Sequence, residues 1–173
     1  MKSTLRRDSI VSIFYLYSLY SIFFNSVRLD GINLHLVASR KDFLLDFVEA
    51  MHFLMTNRNT TKQYFLTMSP DCYTLDIHAA FVYDAVTERT NMFDAMFVNF
   101  YHSNCYLTSK DFLTYFNKWD TLLKRTKPDF YITISGSDKG RQRNFIAPLD
   151  VQKVLRKVNV VSNLFVRVFF LDF

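Results

Sequence analysis

Residues 32–68 begin INLHLVASRKDFLLDFVEAMHFLMTN and end KQYFLTM, and this stretch determines the fold that the sequence predicts. Ile32–Ser39 places Ile, Leu, Leu and Ala at every second position, which is the period of a half-buried strand. Lys41–Asn57 instead carries Leu, Phe, Val and Met residues on one stripe of a helix. Lys62–Met68 is rich in β-forming residues, and the turn formers Ser69–Asp71 stop it. The stretch therefore predicts a strand, a helix and a second strand.

The residues that follow extend this pattern to a complete small fold. Tyr73–Val86 is another β-rich run, and Thr90–Phe100 returns to the helical period with Phe93 and Met96 facing inward. Cys105–Ser109 fits a last strand. The order βαββαβ is that of the ferredoxin-like split βαβ sandwich. We therefore expect an α+β fold of this class, with an N-terminal apolar extension and an α/β C-terminal extension.

Three segments are expected along the chain. Residues 1–28 form an aromatic extension, residues 29–109 form the βαββαβ domain, and residues 110–173 form a basic extension. The expected core of the domain is Leu34, Leu36, Leu44, Phe47, Val48, Met51 and Phe93. The C-terminal extension is expected to fold, because helical and strand-like runs alternate in it. These runs are Lys110–Lys124 (helix), Phe130–Ser135 (strand), Leu149–Val161 (helix) and Phe165–Phe173 (strand).

The middle segment resembles the universal ribosomal small-subunit protein ten, called the S-ten family below. Members open with an alternating strand, a polar turn and a helix that begins with a leucine pair before an aspartate, as Ile32–Asp46 does. Their second strand ends in Ser-Pro, as Tyr64–Pro70 does. Their third strand starts from an aromatic and has a histidine five residues later, like Tyr73 and His78. Val-Asp-Ala-Leu in their second helix is similar to Phe93–Met96. The shared order and spacing of these matches carry the resemblance.

The chain departs from the S-ten family after the Ser-Pro pair. The family has a long basic hairpin loop there, which is reduced here to Asp71 and Cys72, so the usual loop contacts have no counterpart. Lys127–Phe145 also reads as a strand, a basic loop and an aromatic, and it offers a rival placement. The first placement is preferred because it needs one long tail instead of a large internal insertion.

Charge favours a polyanionic partner. The net charge is +5, and most clusters of Lys and Arg lie in the C-terminal extension. Clustered positive charge suits RNA phosphates, although ordinary solvated faces are the alternative. The expected RNA-binding residues are Lys124, Arg125, Lys127, Lys139, Arg141, Arg143, Arg156 and Lys157.

The sequence indicates neither an enzyme nor a metal site. The basic loop Ser135–Asn144 lacks the pattern of a phosphate-binding P-loop. The four His residues, Cys72 and Cys105 do not have the spacing of metal ligands. No catalytic residue, metal or cofactor is therefore expected. A disulfide between the two cysteines is an open alternative, but two free thiols in a reducing compartment are expected.

Ile10–Val27 reads IVSIFYLYSLYSIFFNSV and has three interpretations. It fits a transmembrane helix, although it is at the short end of the about 20 residues that a bilayer requires. It also fits a targeting signal, which a chain beginning at Met1 disfavours. The third interpretation, an aromatic element docked on a partner, is favoured, and membrane association comes next.

The S-ten resemblance implies a structural constituent of the small ribosomal subunit, bound to small-subunit rRNA and to other head proteins. The 19 Phe and 10 Tyr suggest an AT-rich gene of the kind that organelles carry. We therefore expect a mitochondrial ribosomal protein of the matrix, encoded in the organelle or outside it. Two alternatives stay open. One is an accessory subunit of an organellar membrane complex anchored by residues 10–27, and the other is a viral structural protein.

Overall fold

Five parallel strands form one sheet in the computed structural model, which describes residues 30–35, 44–57, 63–76, 82–101, 105–135, 146–161 and 167–171. The strands are β1 (Gly31–Leu34), β2 (Phe65–Met68), β3 (Ala95–Asn99), β4 (Asp129–Ser135) and β5 (Arg167–Leu171). The helices are α1 (Leu44–Thr56), α2 (Tyr83–Glu88), α3 (Phe112–Leu123) and α4 (Pro148–Val161), and a short 3-10 helix covers Thr90–Met92.

Each strand pairs with the next strand along the chain, so the order in the sheet is β1-β2-β3-β4-β5. All pairings of the described strands are parallel. Parallel neighbours need a crossover connection, and here a helix lies in every connection between successive strands. A doubly wound sheet reverses its strand order at one point, whereas a β/α barrel keeps the chain order around the ring. The described sheet therefore has the strand order of part of a β/α barrel.

The outer face of the sheet is apolar and is covered by the helices. Leu34, Met68, Met96 and Phe130 lie in register across four strands, and each is less than a tenth exposed. The helix residues in the same core cluster include Val48, Met51, Phe116, Trp119, Leu123 and Val151. Burial of this apolar surface is the main favourable term in folding.

The opposite face of the sheet, called the inner face below, is mixed polar and aromatic. Its rows in register are Asn33–Thr67–Ala95, Phe97–Tyr131 and Asn99–Thr133. Phe97 and Tyr131 are half-buried and stack with their ring centroids 4.7 Å apart. Because the helices pack on the other face, the inner face is the one that a β/α barrel turns toward its axis.

Two residues fix the amino ends of the first three strands. Asp94, directly before β3, accepts a hydrogen bond from the Leu66 amide at 2.9 Å and one from the Lys127 ammonium at 3.0 Å. Gly31 lets β1 approach β2, because a Cβ at this position would collide with the backbone carbonyl of Phe65. The register of this part of the sheet therefore depends on the Asp94 carboxylate and on a glycine, which has no Cβ, at position 31.

The predicted α+β, ferredoxin-like split βαβ sandwich is wrong, because it needs a hairpin where the described strands pair only in parallel. Tyr73–Val86, predicted as a strand, holds a turn at its start and helix α2 at its end. Thr90–Phe100, predicted as a helix, holds the 3-10 helix and strand β3. Cys105–Ser109 forms turns in place of a strand. β3 has little exposure on either face, and a strand buried on both faces loses the alternation that would identify it.

Several elements are confirmed. Strand β2 and helix α1 lie within the stretches predicted for them, β1 begins one residue before its predicted stretch, and α3, β4, α4 and β5 match the runs predicted in the C-terminal extension. Of the predicted core residues, Leu34, Val48, Met51 and Phe93 are buried, while Leu44 and Phe47 are half-buried against the core. Leu36 lies outside the described residues.

The three-segment division stays a prediction, but strands from residues 29–109 and from residues 110–173 share one sheet. Residues 1–28, including the run at 10–27, lie outside the described part of the chain. None of the helices in the described ranges has the length and apolar character needed to cross a bilayer.

Candidate functional site at the carboxyl ends of the strands

Parallel strands bring all of their carboxyl ends to one edge of the sheet, and β/α barrels hold their binding and catalytic residues at that edge. Five described residues with polar side chains meet at the ends of β2, β3 and β4. They are called the carboxyl-edge cluster below: Asp71, Tyr73, Asn99, Tyr101 and Thr133. Two loops carry most of the cluster, one after β2 and one after β3.

Asn99 and Thr133 are the most unusual members of the cluster. They are register partners on the inner face, Asn99 at the end of β3 and Thr133 two residues before the end of β4, and each is only 1% exposed. The Asn99 Nδ2 group donates a hydrogen bond to the Ser69 carbonyl at 3.3 Å. Asn99 Oδ1 and Thr133 Oγ1, however, find no hydrogen-bond partner in the described part of the chain. A buried polar atom without a partner costs about 1–3 kcal/mol, so such atoms call for an explanation.

The loop after β2 places Asp71 and Tyr73 beside Asn99. Asp71 forms a parallel bridge with Asn99, and the Cys72 amide donates to the Asn99 carbonyl at 3.2 Å. The backbone N–H of Asn99 donates a hydrogen bond to the Pro70 carbonyl at 2.9 Å. These bonds continue the β2–β3 pairing beyond the strand ends. The Tyr73 hydroxyl then donates to Asp71 Oδ2 at 2.9 Å, which joins the two side chains.

Burial and the charge of Asp71 change the acidity of two tyrosines in the cluster. Burial raises the pKa of Tyr73 above its usual value, and the hydrogen bond to Asp71 and the charge of that carboxylate raise it further. Burial likewise raises the pKa of Tyr101, and the charge of Asp71 adds to the effect. Both phenols are therefore held as neutral hydrogen-bonding groups.

We expect Asp71→Asn to lower the pKa of both Tyr73 and Tyr101, because the variant removes the carboxylate charge and leaves burial in place. A pKa raised in the folded state adds stability that is fully present below the unfolded value of 10.0 and is lost as the pH rises through the folded pKa. The wild type should thus lose stability above that value, and Asp71→Asn should lose less. Tyrosinate absorbance and chemical denaturation against pH measure the two effects.

Asp111→Asn is the matched control for this titration. A hydrogen bond to Asp76 and, as a smaller cause, the charge of Asp111 raise the pKa of Tyr115, which lies on helix α3 outside the cluster. The control should therefore lower the pKa of Tyr115 slightly and leave Tyr73 and Tyr101 unchanged. Identical alkaline titrations of the wild type and Asp71→Asn would show that Asp71 does not act on the two cluster tyrosines.

A disulfide links the two loops that carry the cluster. Cys72 and Cys105 are bonded with their Cα atoms 6.2 Å apart, and both are nearly fully buried. The prediction of two free thiols is therefore wrong. The spacing of 33 residues carried no sign of a bond, because the pairing depends on β2 and β3 being parallel neighbours.

A second polar group lies on the inner face at the ends of β1 and β2. Asn33 donates from Nδ2 to the Ser69 hydroxyl at 2.8 Å, and the Thr67 hydroxyl donates to Asn33 Oδ1 at 2.9 Å. Asn33 itself is exposed. This network borders the carboxyl-edge cluster through Ser69, whose carbonyl accepts the bond from Asn99.

The residues expected to bind RNA lie elsewhere. Lys124, Arg125 and Lys127 follow helix α3 and precede β4, at the amino ends of the strands. Lys124 pairs with Asp120 at 2.5 Å, and Lys127 pairs with Asp94. Arg156 and Lys157 belong to helix α4, whereas Lys139, Arg141 and Arg143 lie outside the described residues. Of the expected RNA-binding residues that the structure describes, none belongs to the carboxyl-edge cluster.

Sequence reasoning missed the whole cluster. Its signal was a polar residue within or at the end of an apolar run, as Asn99 is in AMFVN and Thr133 is in FYITIS. Such residues become a site only when the strands are known to be parallel. No group of three or more His, Cys, Asp or Glu side chains in the described ranges is placed to hold a metal ion.

No protein-family model and no curated protein sequence matches the chain. Solved structures do match. A GH18 chitinase from Pseudoalteromonas aurantia aligns with a TM-score of 0.73 at 14% identity, over 96% of this chain and 64% of the chitinase. A chitinase-like lectin from tamarind aligns with a TM-score of 0.64 at 21% identity, over 83% of this chain and 51% of the lectin.

A xylanase and alpha-amylase inhibitor protein from Scadoxus multiflorus also aligns, with a TM-score of 0.67 at 15% identity over 87% of this chain and 55% of the inhibitor. The chain thus spans between about half and two thirds of the length of the structures it matches. The fold is shared by a chitinase, a lectin and an inhibitor, so the fold alone does not decide whether the chain is an enzyme.

These alignments overturn the S-ten resemblance and what it implied. A ribosomal role, with small-subunit rRNA and head proteins as partners, is wrong, and neither alternative, a membrane-complex subunit or a viral structural protein, gains support. The S-ten matches are short strand and helix signals, and local signals do not distinguish a hairpin from a parallel crossover. The described sheet instead has the β/α fold of the chitinase-like proteins.

Proposed function

We propose that the chain binds a chitin-type saccharide at the carboxyl-edge cluster and does not hydrolyse it. The observation that carries this proposal is the pair of buried polar atoms, Asn99 Oδ1 and Thr133 Oγ1, that have no hydrogen-bond partner among the described residues. They lie at the edge of a β/α sheet where ligands bind in this architecture. A ligand that supplies hydrogen-bond donors would remove their desolvation penalty.

Saccharide chemistry suits this surface. Sugars present many hydroxyl groups and flat apolar C–H faces, which pair with hydrogen-bonding groups and with aromatic rings. The cluster offers the phenols of Tyr73 and Tyr101 and the atoms of Asn99 and Thr133, and the stacked rings of Phe97 and Tyr131 lie one row below on the same face. N-acetylated sugars also carry an amide N–H that Asn99 Oδ1 can accept. Two of the structural neighbours are a chitinase and a chitinase-like lectin, which favours chitin.

The carboxylates favour binding without hydrolysis. Glycoside hydrolysis requires a carboxyl group that protonates the leaving oxygen, and substrate-assisted enzymes such as those of GH18 need no second, nucleophilic carboxylate. Of the described residues within three positions after a strand, Asp71 is the one carboxylate, and its Oδ2 accepts the Tyr73 hydroxyl. Strand β1 carries Asn33 and is followed by His35, which supply no acid. The lectin and the inhibitor among the neighbours have the same fold.

The disulfide supports one place of action over another. Disulfides form and persist in oxidising compartments and are rare where glutathione keeps thiols reduced. The buried Cys72–Cys105 bond therefore favours an oxidising compartment over the mitochondrial matrix. Labelling of free thiols in protein taken from its native source tests this part of the proposal.

Calorimetric titration of the 173-residue chain with a tetramer of N-acetylglucosamine tests the function. We expect saturable binding, and we expect no shorter oligomers when the mixture is later separated by chromatography. Cellotetraose is the control sugar. Absence of binding to the N-acetylglucosamine tetramer would refute the proposal. Release of dimers or monomers would overturn its second half and identify a chitinase.

Asn99→Leu is expected to weaken saccharide binding by about tenfold, the effect of losing one buried hydrogen bond to a ligand. The variant keeps a similar side-chain volume, removes the unpaired Oδ1 atom and also loses the Nδ2 bond to the Ser69 carbonyl, so the two effects should offset and the free energy of unfolding should change by less than about 1 kcal/mol. Asn117→Leu, on the exposed side of α3, is the control and should leave the affinity unchanged. Equal affinities of Asn99→Leu and wild type would exclude Asn99 from the site.

A further inference from the structure

Trp119 holds the loop after β2 from behind the sheet. It is the only tryptophan of the chain, it lies on helix α3, and it is fully buried. Its indole Nε1 donates a hydrogen bond to the Cys72 carbonyl at 2.8 Å. A buried indole N–H needs such a partner, whereas most core positions can be filled by an apolar side chain that has no hydrogen-bonding group. The bond therefore ties the helix layer to the loop that carries Asp71 and Tyr73.

Helix α3 also holds the far end of the same loop. Lys118 forms an ion pair with Asp76, and Tyr115 hydrogen-bonds to the same carboxylate. Within the loop, the Thr74 amide donates to the Asp71 carbonyl and the Asp76 amide donates to the Tyr73 carbonyl, both at 2.9 Å. The turn is thus closed by its own backbone and fixed to α3 at both ends. A displacement of Cys72 would move Asp71 and Tyr73 with it.

We propose that Trp119 is a positioning residue, which sets the place of Asp71 and Tyr73 in the saccharide site through the Cys72 carbonyl. This inference rests on the proposed function for its readout in affinity. Trp119 touches no ligand in this arrangement. It acts because a hydrogen bond fixes the direction of a carbonyl, whereas apolar packing alone fixes only volume. The disulfide to Cys105 holds Cys72 from the side of β3, so the loop is held from two layers.

Trp119→Phe removes the indole N–H and keeps an aromatic ring in the core. Phe116→Leu is the matched control, because Phe116 lies on the same helix, is equally buried, and contacts Phe112 and Phe130 in place of the loop. We expect Trp119→Phe to weaken binding of the N-acetylglucosamine tetramer about tenfold, as the loss of one directing hydrogen bond predicts. Phe116→Leu should lower the melting temperature with less than a twofold change in affinity.

Hydrogen exchange of the Thr74 and Asp76 amides supplies a readout that needs no ligand. These amides close the turn, so their exchange should accelerate in Trp119→Phe and stay unchanged in Phe116→Leu. If the wild type does not bind the tetramer, the proposed function fails, and the exchange rates still decide the role of Trp119. Equal exchange in both variants, or equal loss of affinity in both, would reduce Trp119 to a packing residue. Should Trp119→Phe not fold, the wild type still decides: the indole Nε1–H of Trp119 should exchange together with the Thr74 and Asp76 amides, because one opening of the loop exposes all three, and separate exchange rates would overturn the inference.

Discussion

Replacing Phe116 by Ala is expected to lower the free energy of unfolding by about 3–5 kcal/mol, the range measured for large buried aromatics. Phe116 is fully buried on the inward side of helix α3, between the helix and the outer face of the sheet. Its ring lies 5.9 Å from the Phe112 ring and 5.7 Å from the Phe130 ring of β4, measured between centroids. The variant leaves a cavity at the contact of two layers, where neither can collapse without shifting the other.

Chemical denaturation of the Phe116→Ala variant measures this loss, and Leu113→Ala provides the comparison within the same helix. Leu113 is 42% exposed, so its truncation should change the free energy of unfolding by less than about 1 kcal/mol. The difference between the two losses of unfolding free energy then measures the effect of burial. Helix propensity contributes little to it, because both variants introduce Ala into the same helix. A similar loss for both would contradict the placement of α3 against the sheet.

The C-terminal elements could be predicted because each has a clear period. Lys110–Lys124 repeats apolar residues at helical spacing, and α3 covers Phe112–Leu123 within it. Phe130–Ser135 is bounded by Pro128 and by a Gly-bearing loop, and β4 begins one residue earlier. Hydrophobic periods and turn-forming residues at the ends of elements are local properties, so they do not depend on the order of the strands in the sheet.

The middle of the chain was misassigned where burial removes the period. Strand β3 reads AMFVN and is buried over most of its length on both faces, so its residues fit the inward stripe of a helix equally well. Two errors together produced the wrong topology: Tyr73–Val86 was predicted as a strand in a hairpin with Lys62–Met68, and the segment that holds β3 was predicted as the helix after it. Strand direction is a long-range property, and the short matches to the S-ten family could not report it.

Prediction of the site was limited in the same way, because the site also depends on which strands are neighbours. Asn99 and Thr133 lie 34 positions apart and become neighbours only through the parallel pairing of β3 and β4. Their chemistry, an amide and a hydroxyl, is common at strand ends and indicates nothing by itself. What distinguishes them is that Asn99 Oδ1 and Thr133 Oγ1 have no hydrogen-bond partner in the ranges that the structure describes, and that is a property of packing. Sequence reasoning therefore had access to the residues but not to the observation that makes them candidates.

Removing the Cys72–Cys105 bond is expected to lower the free energy of unfolding by about 4 kcal/mol, because the bond closes a loop of 33 residues in the unfolded chain. The double variant Cys72→Ala/Cys105→Ala should show this loss in denaturation against the oxidised wild type. Reduced wild type should match the double variant, and the reductant should not affect the double variant further. Trp119 on α3 still donates its hydrogen bond to the backbone carbonyl at position 72. The sheet should therefore persist while the loops loosen. An unfolding free energy that is unchanged by reduction would show that the two cysteines are not bonded in solution.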